Sequence, residues 1–143
     1  MLILIDGYNL LYEFNYEGKS YCKEDLIKEI SFYQKKKNHN IIIVFDGGIY
    51  GGFLDREEKI GNLKVIYTSK IKTADDKIKE LSDKYRNGCV VITSDRDIKN
   101  YVKRNGSATM DSEEFIKRLY EFCDGDFKEK KIGRKHKNML KKI

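Results

Sequence analysis

Short apolar runs alternate along the chain with longer stretches of helical periodicity. The runs are Leu2–Asp6, Ile41–Asp46, Leu63–Tyr67 and Cys89–Ser94, with a weaker one at Ser107–Met110, and most are rich in Ile or Val. Such short runs suit strands buried on both faces. Between them, Glu24–Lys37 sets Leu26, Ile27, Ile30 and Tyr33 at helical spacing, and Asp75–Tyr85 does so with Ile78, Leu81 and Tyr85. Asp97–Lys103 repeats the pattern with Ile98, Tyr101 and Val102, and Ser112–Phe122 with Phe115, Ile116, Leu119 and Phe122. Strands alternating with helices imply an α/β chain whose mainly parallel sheet is covered on both faces, a three-layer α/β/α sandwich. Ligands of such open sheets bind beyond the carboxyl ends of the strands, near the point where strand order reverses.

The 143 residues suit one domain, and 39 of them are Leu, Ile, Val or Phe, enough for a core. The formal charge of +6 suggests an anionic partner until it is located along the chain. Residues 127–143 hold eight Lys or Arg and one acid, whereas residues 1–126 hold 21 bases and 22 acids. The body is therefore nearly neutral and the basic character belongs to a tail. The opening MLILIDG lacks the basic region and long apolar run of a signal peptide, and Ile41–Phe45 is far too short to cross a bilayer. Cys22, Cys89 and Cys123 form no CxxC and have only His39 and His136 beside them, which argues against zinc and for reduced, cytoplasmic thiols.

Three of the apolar runs lead into aspartate: Asp6 after LILI, Asp46 after IIIVF and Asp95 after VVITS. Asp75 and Asp76 open the helix that follows the Leu63–Tyr67 run. Each alone is explained as a turn or helix-capping residue. Thr73-Ala74-Asp75-Asp76 and Ser94-Asp95-Arg96-Asp97 both have the shape of a capping box, which would occupy Asp76 and Asp97 and leave Asp75 and Asp95 free. Several acids converging on one sheet edge are harder to explain as punctuation, because they repel one another without a counter-ion. Oxygen-only ligands favour Mg²⁺ or Mn²⁺ over zinc. A metal held there can activate water and steady a phosphate under attack.

DGYNLL at 6–11, VFDG at 44–47, TADDKI at 73–78 and VITSDRD at 91–97, in that order, resemble a YacP-like NYN domain of the PIN-like ribonuclease group. MDSEEFIKRLYEF at 110–122 is similar to the final helix of that family, so the resemblance spans roughly residues 1–123 and leaves 124–143 as a basic C-terminal tail. It implies a PIN-like fold with a five-stranded sheet of order 3-2-1-4-5, which sets Asp6 between the strands bearing Asp46 and Asp95. It also assigns Asp6, Asp46, Asp75 and Asp95 to the acidic metal-binding set, gives Asn9 the role of orienting a ligand or bracing the loop, and makes Asp97 an outer ligand.

Gly47–Gly52 has the glycine spacing of a P-loop, but Phe53-Leu54 follows where Lys-Ser/Thr is required. The loop is then either a surface loop or a close approach to phosphate, with Tyr50 and Phe53 able to stack on unpaired bases. A haloacid-dehalogenase-type phosphatase fails because position 8 is Tyr, and two histidines support no hydrolase triad. The expected activity is a divalent-metal-dependent endoribonuclease acting on single-stranded RNA. Asn9, Tyr50, Arg96, Arg134 and Lys135 are the expected substrate contacts. The alternative is a non-catalytic RNA- or ribosome-binding module anchored by the tail, and a PIN-type toxin held by an antitoxin stays open. A membrane surface fits the tail poorly, since no broad apolar face accompanies its charge.

Overall fold

The computed structural model describes residues 1–15 and 19–121. The tail with Arg134 and Lys135, together with Phe122 and Cys123, lies outside the described residues. Six strands form one sheet: β1 (Leu2–Asp6), β2 (Asn40–Phe45), β3 (Arg56–Ile60), β4 (Leu63–Tyr67), β5 (Cys89–Ile92) and β6 (Ala108–Met110), in the order β3-β4-β2-β1-β5-β6. Five helices complete the described fold: α1 (Gly7–Phe14), α2 (Lys23–Lys37), α3 (Ala74–Tyr85), α4 (Arg96–Arg104) and α5 (Ser112–Glu121).

The expected five runs are all strands and pair in parallel in the expected order. The expectation of five strands is corrected to six. β3 adds an antiparallel edge to β4, paired from Arg56↔Tyr67 to Ile60↔Leu63. Its five residues, REEKI, are all exposed, so no apolar run announces it. Gly61 and Asn62 close the hairpin, with Gly61 at φ 60°, the left-handed value that two-residue hairpins need. The charged side chains also blunt the open edge against pairing with another chain.

Alternation along the strands sorts the core into two layers. Ile3, Ile5, Ile41, Ile43 and Phe45 pack on one face against α1, α2 and α5 through Leu10, Phe14, Ile30, Phe115 and Leu119. Leu4, Ile42, Val44 and Val91 pack on the other against α3 and α4 through Ile78, Leu81, Ile98 and Val102. The three-layer sandwich is therefore the observed architecture.

One helix is absent from the expected set. α1 starts immediately after Asp6, with Gly7 as its first residue. A Cβ at Gly7 would lie 2.6 Å from the Phe45 ring and 2.7 Å from the Val44 carbonyl, so only glycine lets the chain turn so tightly against β2. Gly7→Ala is expected to destabilise the protein by about 1–3 kcal/mol, seen as a lower urea midpoint with an unchanged slope. An unchanged midpoint would show that the contact relaxes freely.

Candidate active site

Strand order reverses at β1. The chain runs outward through β2 and β4, then crosses over to β5 on the other side of β1. Asp6 is the last residue of β1 and only 9% exposed. The buried Thr93, next after β5, donates its hydroxyl to Asp6 Oδ2 at 3.0 Å and accepts the Asp95 backbone N–H at 3.1 Å. One hydroxyl thus ties the first acid to the loop bearing another. Burial pushes the Asp6 carboxyl up to about 6, the Thr93 hydrogen bond opposes the rise, and repulsion from Asp75 and Asp95 adds to it. Asp75, half-buried in the first turn of α3, is also raised, first by burial and then by Asp95, with Lys79 working against the shift.

The two capping boxes have different fates. The Thr73 box forms as expected: Thr73 Oγ1 accepts the Asp76 N–H at 3.1 Å, and Asp76 Oδ2 accepts the Thr73 N–H at 3.3 Å. Asp76 is thereby occupied and Asp75 is not. The Ser94 box does not form, because β5 ends at Ile92 and Asp95 itself takes the N-cap of α4, accepting the Ile98 N–H at 3.1 Å. Asp95 is therefore engaged through Oδ1, while its charge still acts on Asp6 and Asp75. Asp97 is exposed and ion-paired with Lys79 at 2.8 Å, which holds its carboxyl below the usual range.

Asn9 braces the edge. Its Oδ1 accepts the Ser94 N–H at 2.9 Å and the Ser112 hydroxyl at 2.6 Å, joining α1 to the β5–α4 loop and the start of α5. Asn9→Ala is expected to cost about 1–3 kcal/mol, because the buried Ser112 hydroxyl loses its acceptor; equilibrium denaturation measures it, and a loss below about 0.5 kcal/mol would show the brace to be dispensable. Asp46 reaches the same edge from β2, half-buried, with Oδ1 accepting the Gly48 N–H at 2.8 Å. It lines a neighbouring groove with Tyr50. Arg96 is exposed at the start of α4, next to Asp95. The glycine loop is pinned to the chain itself, through Gly47 N–H to Thr68 Oγ1 at 3.0 Å and Lys70 N–H to the Gly52 carbonyl at 3.0 Å. Phe53, at its end, is 83% exposed and does not pack down.

Among the described residues, no three His, Cys, Asp or Glu side chains close into a cage for a metal ion. The donor set nevertheless suits a hard cation. Three carboxylates repel one another around a buried oxygen pair, and Mg²⁺ is ordinarily held by one or two carboxylates, with water and substrate phosphate completing its shell. An open site of that kind fits these residues; a closed all-protein cage does not.

The family model described as YacP-like NYN domain matches residues 3–143. The chain belongs to the YacP-like NYN domain family. The YacP protein of Bacillus subtilis (strain 168) is 27% identical over 92 residues, covering 60% of this chain and 54% of the relative. The chain thus spans about half the length of the curated relative it matches. Two crystal structures of Rae1 (YacP) from Bacillus subtilis share the fold. One, of a single-substitution mutant, has a TM-score of 0.65 at 22% identity and covers 85% of this chain and 76% of that one. The other has a TM-score of 0.63 at 21% identity and covers 99% and 83%. The NYN domain here is a PIN-like, nuclease-type domain. Among its described residues, no helix is long and apolar enough to cross a membrane.

Proposed function

We propose that this chain is a divalent-metal-dependent endoribonuclease that cuts single-stranded RNA. One observation carries the reading: Asp6, Asp75 and Asp95, from three separate elements, act on one another at the strand-order reversal, and Asp6 is buried there with its carboxyl raised to about 6. A sheet edge that only punctuated turns would have no reason to bury a carboxylate among others. Asp6, Asp75 and Asp95 would hold a Mg²⁺ or Mn²⁺ ion, with Asp46 completing the shell or serving a second ion and Asp97 reaching it indirectly. When bound, the ion supplies phosphate charge neutralisation and a lowered pKa for water. The chain's own part is positional. Thr93 fixes one oxygen of Asp6, Asn9 holds the loop carrying Asp95, and Lys79 moderates the field at Asp75.

Single-stranded RNA is the proposed substrate because exposed Tyr50 offers a stacking face that paired bases cannot reach. The basic segment 127–143 is proposed to add sequence-blind phosphate affinity to the domain that precedes it. The test is cleavage of assorted RNAs by the protein and by Asp6→Asn/Asp95→Asn, with Mg²⁺, Mn²⁺ or EDTA. Cleavage by the parent alone, abolished by EDTA, is expected. Equal cutting by both proteins sinks the reading, and RNA binding that ignores EDTA without cleavage identifies a non-catalytic module instead.

A further inference from the structure

Next to the acids lies a groove of about 310 Å³, joined to them through Asp46, which lines it. Its floor is aromatic. Tyr67, the last residue of β4, stacks on the buried Phe45 at 5.8 Å between ring centres, and Tyr8 meets the same Phe45 edge-on at 5.0 Å. Its walls are cationic. Lys23 Nζ sits 4.5 Å from the centre of the Tyr67 ring and Arg56 Cζ sits 4.3 Å from it. The two cations come from the first turn of α2 and the start of β3, and the register that sets Arg56 opposite Tyr67 fixes one of them. Glu24 and Glu58 act on the Tyr67 hydroxyl, yet among the described residues no ion pair joins either to Lys23 or Arg56. At the rim, Tyr50 is 94% exposed and makes no ring contact among the described residues.

Two cations over an aromatic floor, beside an open ring face, match the two halves of a nucleotide. The cations suit a phosphate, and the open tyrosine suits a base. A carboxylate-bearing peptide would satisfy the cations but leave the stacking face unused. We propose that this groove is a nucleotide subsite of the RNA strand. The phosphate neighbouring the scissile one lies against Lys23 and Arg56, and its base stacks on Tyr50. The subsite rests on the ribonuclease reading for its place beside the scissile bond. It also explains how a body of nearly balanced charge engages a polyanion at an edge lined with acids.

The test measures binding of a fluorescein-labelled single-stranded RNA 12-mer of mixed sequence to the 143-residue chain carrying Asp6→Asn and Asp95→Asn, which should not cut it. Adding Lys23→Gln and Arg56→Gln is expected to weaken binding about tenfold at 50 mM salt. It should also make the plot of log affinity against log salt shallower by about 1. Adding Tyr50→Ala instead should weaken binding about fivefold or more with an unchanged slope, while Tyr50→Phe should restore it. Arg56 is exposed, Lys23 is half-buried and the tail is present in every arm, so neither misfolding nor tail binding mimics the change in slope. Unchanged affinity and slope in the cation variant overturn the subsite, even if the parent cuts RNA and the nuclease reading stands. Loss of binding in that variant, with a parent that cuts nothing, upholds the groove as an RNA site and removes only the nuclease reading. A parent that binds no RNA at 50 mM salt overturns both.

Discussion

Asp6→Asn should lower the rate of RNA cleavage about a thousandfold or more, with the fold preserved. The amide keeps the volume of the carboxylate, and its oxygen can still accept the Thr93 hydroxyl. What disappears is the charge at the most buried position of the site. Metal assistance to phosphate chemistry is worth several kcal/mol, and each ~1.4 kcal/mol is a factor of ten in rate. Asp95→Asn should cost a similar factor without harming α4, because asparagine caps a helix as well as aspartate does. Asp97→Asn is expected to cost only a few-fold. Its carboxylate is exposed and neutralised by Lys79, and its loss acts mainly by releasing Lys79 toward Asp75. Single-turnover cleavage of end-labelled RNA with Mg²⁺ ranks the variants. An Asp6→Asn protein within tenfold of the parent would remove Asp6 from the centre of the mechanism, and an Asp97 variant as impaired as Asp6→Asn would overturn the minor role given to Asp97.

The part of this arrangement visible in the linear chain follows a physical rule. Runs buried on both faces are mostly apolar, so β1, β2, β4 and β5 stand out, and with them the acids at or just beyond the ends of β1, β2 and β5. β3 has no buried residue, and its one signal was the Gly-Asn pair at 61–62 between it and β4. α1 is hidden because it follows β1 with no loop between them and opens on glycine, a poor helix former. Capping chemistry separates Asp75 from Asp76, since Thr73 is the N-cap and only the third helical position, Asp76, can close the box with it. At 94–97 two good caps stand side by side, and which one serves depends on where β5 stops. Thr93 and Ser112 carry no signal at all. Their partners, Asp6 and Asn9, lie 87 and 103 residues away and meet them only after the sheet has formed. Lys23, Arg56 and Tyr67 escape notice for the same reason.

Removing Asp6's charge should also stabilise the metal-free protein at neutral pH, the opposite of what replacing a paired carboxylate does. The unfolded chain releases this proton near the ordinary value of 3.8, whereas the folded chain holds it until about 6. The folded state therefore binds the proton more tightly. This contribution to stability is complete below about pH 4 and is lost as pH rises through about 6. At ~1.36 kcal/mol per unit, the loss is on the order of 3 kcal/mol, or roughly 10 °C in melting temperature for a chain of this size. Asp75 shifts in the same direction. Asp55 opposes it: burial disfavours its charge, but the Ser69 N–H and Lys77 hold its carboxyl below the usual range. The informative quantity is thus the difference between the parent and Asp6→Asn, each melted from pH 4 to 8 in EDTA. The variant should match the parent near pH 4 and exceed it by the full amount above pH 7. Millimolar Mg²⁺ at pH 7.5 should raise the parent toward the variant, since an ion that binds only the folded, ionised site stabilises by mass action, and should move the variant far less. Parallel melting curves across the whole pH range, or equal Mg²⁺ shifts in both proteins, would show that the buried carboxylate is satisfied without a cation.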